Sequence, residues 1–133
     1  MGVPEQDGWK ARALPGFIGL VGPLWARREP EAWAYGVLAD DRHANPAGIV
    51  HGGMLTTLLD HALSAIAWEA NARKACLSVA LDVHFLTPAR PGDFIEARGH
   101  IVRQAATLAF MQGRLTVQDR LVATASAILK IAS

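Results

Sequence analysis

An α+β domain, an antiparallel sheet wrapped around one long helix, is what this 133-residue sequence predicts. Three observations carry that expectation. From Met54 to about Ala70 runs the one long helical stretch, with Leu55, Leu58, Leu59, Ala62, Leu63, Ile66 and Trp68 over most of its circumference. A helix apolar nearly all round has to be wrapped by something else. After it, Leu77, Val79, Leu81, Val83 and Phe85 alternate with Ser78, Ala80, Asp82 and His84, the period of a strand with two distinct faces. Three further strand-like stretches are joined by Gln104-Ala105-Ala106 and Gln118-Asp119-Arg120, connections of hairpin length that favour antiparallel pairing.

The remaining elements follow in order. Residues 1–16 are rich in Gly, Pro and charge and read as a loose arm or short helix ahead of a single domain over 17–133. Phe17 to Arg28 reads as a strand bent at Gly22-Pro23, Glu29-Pro30-Glu31 as a turn, and Trp33 to Leu38 as the returning strand. Ala39 to Val50 is loop. Beyond the helix and the alternating strand come strands at Phe94–Arg103, Leu108–Val117 and Leu121–Ile131. The order β-β-α-β-β-β-β around one buried helix is α+β, with no internal repeat and no second domain.

Bulk composition narrows the function. With 51% hydrophobic and only 19% charged residues, a domain this small is expected to hide surface in a homo-oligomer, a dimer or a dimer of dimers. The net charge of +1 gives no global pull toward nucleic acid. Cys76 is single, which excludes an internal disulfide and fits a reducing cytoplasm. The apolar run Phe17–Trp25 is broken by Gly19, Gly22 and Pro23 and falls well short of the ~20 residues of a membrane helix. Glu5 and Asp7 before it and Arg27-Arg28-Glu29 after it argue against a signal peptide.

The chemistry concentrates in Asn45-Pro46-Ala47-Gly48-Ile49-Val50-His51-Gly52-Gly53. Pro46 and Gly48 mark a turn, and His51-Gly52-Gly53 stands where the helix begins. A helix N-terminus exposes unpaired N–H groups at the positive end of the dipole, and glycine lets a ligand approach them. Gly52 is therefore the candidate oxyanion donor; a tight turn alone would also use Gly52-Gly53. Asp60 follows about two turns on as a lone carboxylate among apolar residues, with Thr56, Thr57 and Ser64 on the same side as a narrow polar strip. A structural Asp tied to His61 or to a strand is the alternative. His51 is either a general base, since imidazole titrates near neutrality, or an orienting group. Asn45 either contacts the reacting group or braces the loop. Arg73, Lys74, Arg90 and Arg103 are candidate partners for the phosphates of a ligand, because guanidinium pairs well with phosphate.

These residues resemble the hotdog-fold acyl-CoA thioesterases, in particular the phenylacetate-pathway (PaaI-like) branch of the 4-hydroxybenzoyl-CoA thioesterase superfamily. The resemblance rests on His51-Gly52-Gly53 with Asn45 upstream and Leu58-Leu59-Asp60 downstream, together with the loop Pro88-Ala89-Arg90-Pro91-Gly92-Asp93. It implies a hotdog fold, hydrolysis of an aromatic or medium-chain acyl-CoA without metal or organic cofactor, and Asp60 as nucleophile or general base. It also implies a helping hydroxyl at Ser78, eighteen residues after Asp60, and a site in which Asn45, His51 and Gly52 of one protomer face Asp60 and Ser78 of another. Other chemistries lack their signatures. His43, His51, His61, His84 and His100 show no metal-ligand spacing, there is no G-x-S-x-G elbow, and Gly19-Leu20-Val21-Gly22 lacks a dinucleotide fingerprint. A non-catalytic acyl-CoA binder and a hotdog hydratase or dehydratase are the rival readings.

Overall fold

A computed structural model of the chain describes residues 4–133. Its elements are β1 (Lys10–Arg12), α1 (Phe17–Val21), β2 (Leu24–Arg28), β3 (Trp33–Leu38), α2 (Gly52–Ala70), β4 (Cys76–Phe85), β5 (Phe94–Gln104), β6 (Leu108–Val117) and β7 (Arg120–Ile131). The strands form one seven-stranded antiparallel sheet in the order β1-β2-β3-β5-β6-β7-β4. Helix α2 lies in its curve and touches β3 through β7, the arrangement the sequence predicts.

Only one side of α2 is covered. Met54, Leu55, Leu58, Leu59, Ala62, Leu63, Ile66 and Ala67 are buried at the three- and four-residue spacing of one helix face. Thr56, Thr57, Asp60, His61 and Ser64 lie half-buried on the flank, and Trp68 is exposed. The expected all-round wrapping therefore stops at this flank, because the sheet ends at β4. Gly99 and Gly113 pair across β5 and β6 beneath Leu63. A Cβ on either would meet Leu63 Cδ2 at 2.4 or 2.9 Å, so the two glycines let the helix seat its leucine in the sheet. Burying a leucine fully contributes about 1.5–3 kcal/mol.

Two segments depart from the sequence reading. Phe17–Val21 is a short helix, not the first half of a strand. Leu14, Ile18 and Val21, spaced four and three apart, pack on the core, while Phe17 and Leu20 face outward. That spacing is helical, and it outweighs strand propensity over so short a run. The strand begins only at Leu24. Residues 4–16 are also anchored: Trp9 is buried with Trp25, Ala34 and Phe94, and β1 pairs with β2. Beside this cluster Arg98 bridges Glu29 and Glu96, and Arg27 also reaches Glu29. The hydrogen bond from Arg98, with lesser help from Arg27, outweighs desolvation and holds the Glu29 carboxyl at about 2.

Strand β4 contains the detail that matters for chemistry. Its register against β7 shifts between Ser78 and Ala80, so Val79 is an extra, bulged residue. Cys76 packs on the core at one end and Leu81 and Val83 at the other, while Leu77 is 69% exposed. A regular strand would have put Leu77 and Leu81 on one face, as the alternation predicts. The bulge breaks that phase and turns Ser78 toward α2.

Candidate active site

The loop from Asp40 to Val50 is tied at both ends before it delivers α2. Asp40 accepts the Arg42 N–H through its carboxylate and donates its own N–H to His43 Nδ1 at 3.0 Å. With Nδ1 accepting, the His43 ring carries its proton on Nε2 and donates to the Val21 carbonyl. The ring is buried. The His43 carbonyl then accepts the His51 N–H at 2.8 Å, and the Val50 N–H donates to the Ala89 carbonyl at 2.7 Å. The loop carrying Ala89 is itself stapled by Arg120, whose guanidinium donates to Thr87 Oγ1, the Pro88 carbonyl and Asp93 Oδ2. His43 and Arg120 are positioning residues that sequence reasoning missed. His43 has a local signal, the Asp40-x-x-His43 cap; Arg120 acts across 27–33 positions of sequence and has none.

The helix entrance can be accounted for donor by donor. Gly53 N–H donates to His51 Nδ1 at 2.8 Å, and Met54 and Leu55 N–H both donate to the His51 carbonyl. Gly52 N–H has no partner among the described residues, although it stands at the positive end of a 19-residue helix. A Cβ on Gly52 would lie 3.3 Å from the Phe85 ring, so glycine keeps this donor clear under an apolar lid. Because His51 Nδ1 accepts from the backbone, its Nε2 is the ring position left to donate outward. The Gly53 N–H thus occupies the lone pair of Nδ1. Asn45 resolves similarly. Its Oδ1 accepts from Ala47 and Ile49 N–H, which leaves its amide N–H₂ without a partner among the described residues, so the residue braces the loop and still offers a donor.

Asp60 and Ser78 are brought together in one chain. Ser78 Oγ–H donates to Asp60 Oδ1 at 2.5 Å, and the second carboxylate oxygen has no partner among the described residues. Thr56 and Thr57 do not join the polar strip, because their hydroxyls donate back to the Gly52 and Gly53 carbonyls of their own helix. Ser64 lies one turn beyond Asp60 on the edge of a groove. The cationic candidates divide between the ends of α2. Arg90 sits in the loop that anchors Val50, whereas Arg73 and Lys74 follow the helix C-terminus. Gln104, next to Arg103, accepts from Asn71 at that same end. Arg73 is engaged, pairing with Glu69 and stacking over Trp68. Among the described residues no three His, Cys, Asp or Glu side chains converge as a metal site.

Gly52 and Asp60 are eight residues apart on one helix, about 12 Å along its axis. An oxyanion donor and an attacking carboxylate must each stand about 3 Å from the same carbonyl. Within one chain they cannot meet there.

The comparisons with known proteins agree with this fold. The family described as the thioesterase superfamily matches residues 47–124, the span from the loop before α2 into β7. A Pseudomonas aeruginosa protein named "Putative esterase PA0474" is 32% identical over 98% of this chain and 98% of its own length. Mouse acyl-coenzyme A thioesterase 13 is 34% identical over 65% of this chain and 62% of its own. The structure of the Bacillus halodurans protein BH2602, solved with CoA, superposes with a TM-score of 0.75 at 22% identity, covering 81% of this chain and 73% of that one. The chain belongs to the thioesterase superfamily. It is a thioester hydrolase with the hotdog fold that the resemblance implied. No helix among the described residues is long and apolar enough to cross a membrane.

Proposed function

We propose that the chain hydrolyses an aromatic or medium-chain acyl-CoA to the free acid and CoA, in a site shared by two copies. The observation that carries this reading is the Asp60 carboxylate, held at one oxygen by Ser78, on a helix whose first N–H, like the second carboxylate oxygen, has no partner among the described residues. The thioester carbonyl oxygen accepts from Gly52 N–H of one protomer. Asp60 of the other either attacks the carbonyl carbon, expelling the CoA thiolate and leaving an anhydride that water cleaves, or takes a proton from the attacking water. Ser78 fixes the carboxylate, and the outward donors of His51 and Asn45 orient the thioester. One oxyanion donor is typically worth ~2.7–4 kcal/mol of barrier. The names of the mouse relative and of the P. aeruginosa protein, and the CoA in the B. halodurans structure, support the substrate class. Arg90, on the loop next to the helix entrance, is the cation placed best for the CoA phosphates. The unpaired Cys76 fits a cytoplasmic setting.

Sharing of the site is supported by the 12 Å between Gly52 and Asp60 and by the sheet edge. β4 pairs with β7 on one side only, leaving a ten-residue strand as an open template. Exposed edges of that length are covered in stable proteins. Antiparallel pairing of β4 with its copy about a two-fold axis sets the two α2 helices side by side in opposite directions, which brings Gly52 toward the partner's Asp60. On the outer face Ala80, Ile128 and Phe110 lie in register across three strands beside Val102, an apolar row suited to joining two dimers.

The test is CoA release from a panel of acyl-CoAs, read with a thiol reagent, for the wild type and Asp60→Asn. The variant is expected to lose ~10²–10⁴-fold in kcat while still binding substrate. Retention of more than a tenth of kcat overturns the role of Asp60. Enoyl hydration without CoA release, or binding without turnover, would assign the chain to the rival readings.

A further inference from the structure

At the end of β4 one large apolar side chain turns inward and yet stays open. Leu81 and Val83 pack on the core, and Phe85 continues their alternation toward α2. Its ring is nonetheless 54% exposed. The backbone around it is fixed: Phe85 pairs with Ala123 of β7, and the Leu86 and Thr87 N–H groups both donate to the Val122 carbonyl. The tip of the ring meets the first residue of α2. A Cβ on Gly52 would lie 3.3, 3.5 and 3.8 Å from Cζ, Cε1 and Cε2 of Phe85. The ring therefore stands against the residue whose N–H has no partner at the helix entrance. Hydrophobic stabilisation scales with the apolar area removed from water, so a ring left this open returns little to the fold. Its place is explained by what covers it when the site is filled.

We propose that Phe85 is a further catalytic residue, whose ring walls the oxyanion site, touches the bound thioester and keeps water off the Gly52 N–H. This rests on the thioesterase reading and deepens it. In each chain Phe85 travels with Gly52, and Ser78 travels with Asp60. A two-fold pairing that brings Gly52 to the partner's Asp60 therefore also brings Phe85 to the partner's Ser78. The ring then borders the donor on one side and the attacking group on the other, and the thioester covers its open face. Water bound to the Gly52 N–H would compete with the thioester oxygen for that hydrogen. A donor aimed at developing charge is worth most where water is excluded. The water that hydrolysis consumes is left to enter from the Asp60 side. Gly52 is needed for the same contact, because any side chain there would push the ring away.

The experiment reads Phe85→Ala and Phe85→Leu in two ways, with cooperative thermal melting as the check on folding. The first is CoA release from hexanoyl-CoA and phenylacetyl-CoA. Phe85→Ala is expected to lose ~10-fold or more in kcat with a smaller change in KM, and Phe85→Leu, which still covers the donor in part, to fall between it and the wild type. The second is the infrared band of an isotope-labelled carbonyl in the ketones that carry a methylene in place of the thioester sulfur of these two substrates. Bound to the wild type, the carbonyl should give one narrow band at lower frequency than in water; in Phe85→Ala it should broaden and move toward its position in water. A purely structural role for Phe85 would leave that band unmoved. A Phe85→Ala enzyme within about twofold of wild-type kcat, or an unmoved band, overturns the proposal and leaves the thioesterase reading intact. Should Phe85→Ala not melt cooperatively, Phe85→Leu decides by the same readouts, and parity with the wild type in either overturns the proposal. A wild type that releases no CoA sinks the thioesterase reading, and the band of the bound ketones still decides whether Phe85 shields the donor.

Discussion

Removing the Ser78 hydroxyl tests how Asp60 is prepared. In Ser78→Ala the 2.5 Å bond to Asp60 Oδ1 is lost, and nothing else among the described residues replaces it. Hydrogen bonds to charged groups contribute about 1.5–3 kcal/mol. If that energy serves to hold the carboxylate toward the thioester, its loss falls on the barrier, and each 1.36 kcal/mol is tenfold in rate. The expected result is therefore a kcat ~10–100-fold below wild type with KM changed little, the pattern for an interaction made in the transition state. Ser78 is exposed, so melting should move little, which separates the catalytic loss from a folding defect. Ser78→Thr keeps the hydroxyl and should recover most of the rate. The assay is CoA release under saturating and limiting acyl-CoA. A Ser78→Ala enzyme within twofold of wild-type kcat would refute the reasoning, because Asp60 would then need no partner from the bulged strand.

Two further outcomes follow from charges elsewhere. Glu29 has its carboxyl lowered from 4.5 to about 2 by the hydrogen bonds from Arg98 and Arg27, so its contribution is complete above pH 4.5 and is lost as the pH falls toward 2. Glu29→Gln should accordingly lower the melting temperature at pH 7 and flatten its decline between pH 5 and 2, and a parallel decline in both proteins would contradict this. Arg90→Ala should raise KM for acyl-CoA several-fold with kcat little changed, less so at high salt because the contact is exposed and screened; an unchanged KM would move the phosphate site, with Arg103 next to examine.

The sequence made the long helix and the strands after it legible, because composition and hairpin-length connections are local signals. The structure brings Ser78 onto Asp60 and starts the helix at Gly52. What the sequence hid was phase. One extra residue at Val79 reverses which side of β4 faces the helix, and no side-chain pattern announces a bulge. The α1 segment was misread because five apolar residues are too few to separate strand from helix without knowing that Leu14 packs beside Ile18. Trp9 found its cluster through Phe94, far along the chain, which no reading of residues 1–16 could foresee. At the site, the sequence could not show that His51 Nδ1 and Asn45 Oδ1 accept from backbone N–H groups of their own loop and helix entrance. Thr56 and Thr57 had the right spacing for a polar strip, but their hydroxyls turn back onto the helix.

The central claim is that the catalytic groups come from two chains, and subunit mixing tests it most directly. Asp60→Asn and the double variant Asn45→Ala/His51→Ala are each expected to be nearly inactive as purified homo-oligomers. Unfolded together and refolded as an equal mixture, with light scattering to confirm assembly, half the dimers are mixed. In a two-fold dimer with shared sites each mixed dimer holds one intact site and one doubly defective site. The account predicts recovery of about a quarter of wild-type activity. A mixture as inactive as its parents, with mixed dimers demonstrably present, would show that each site is built within one chain and would contradict the account.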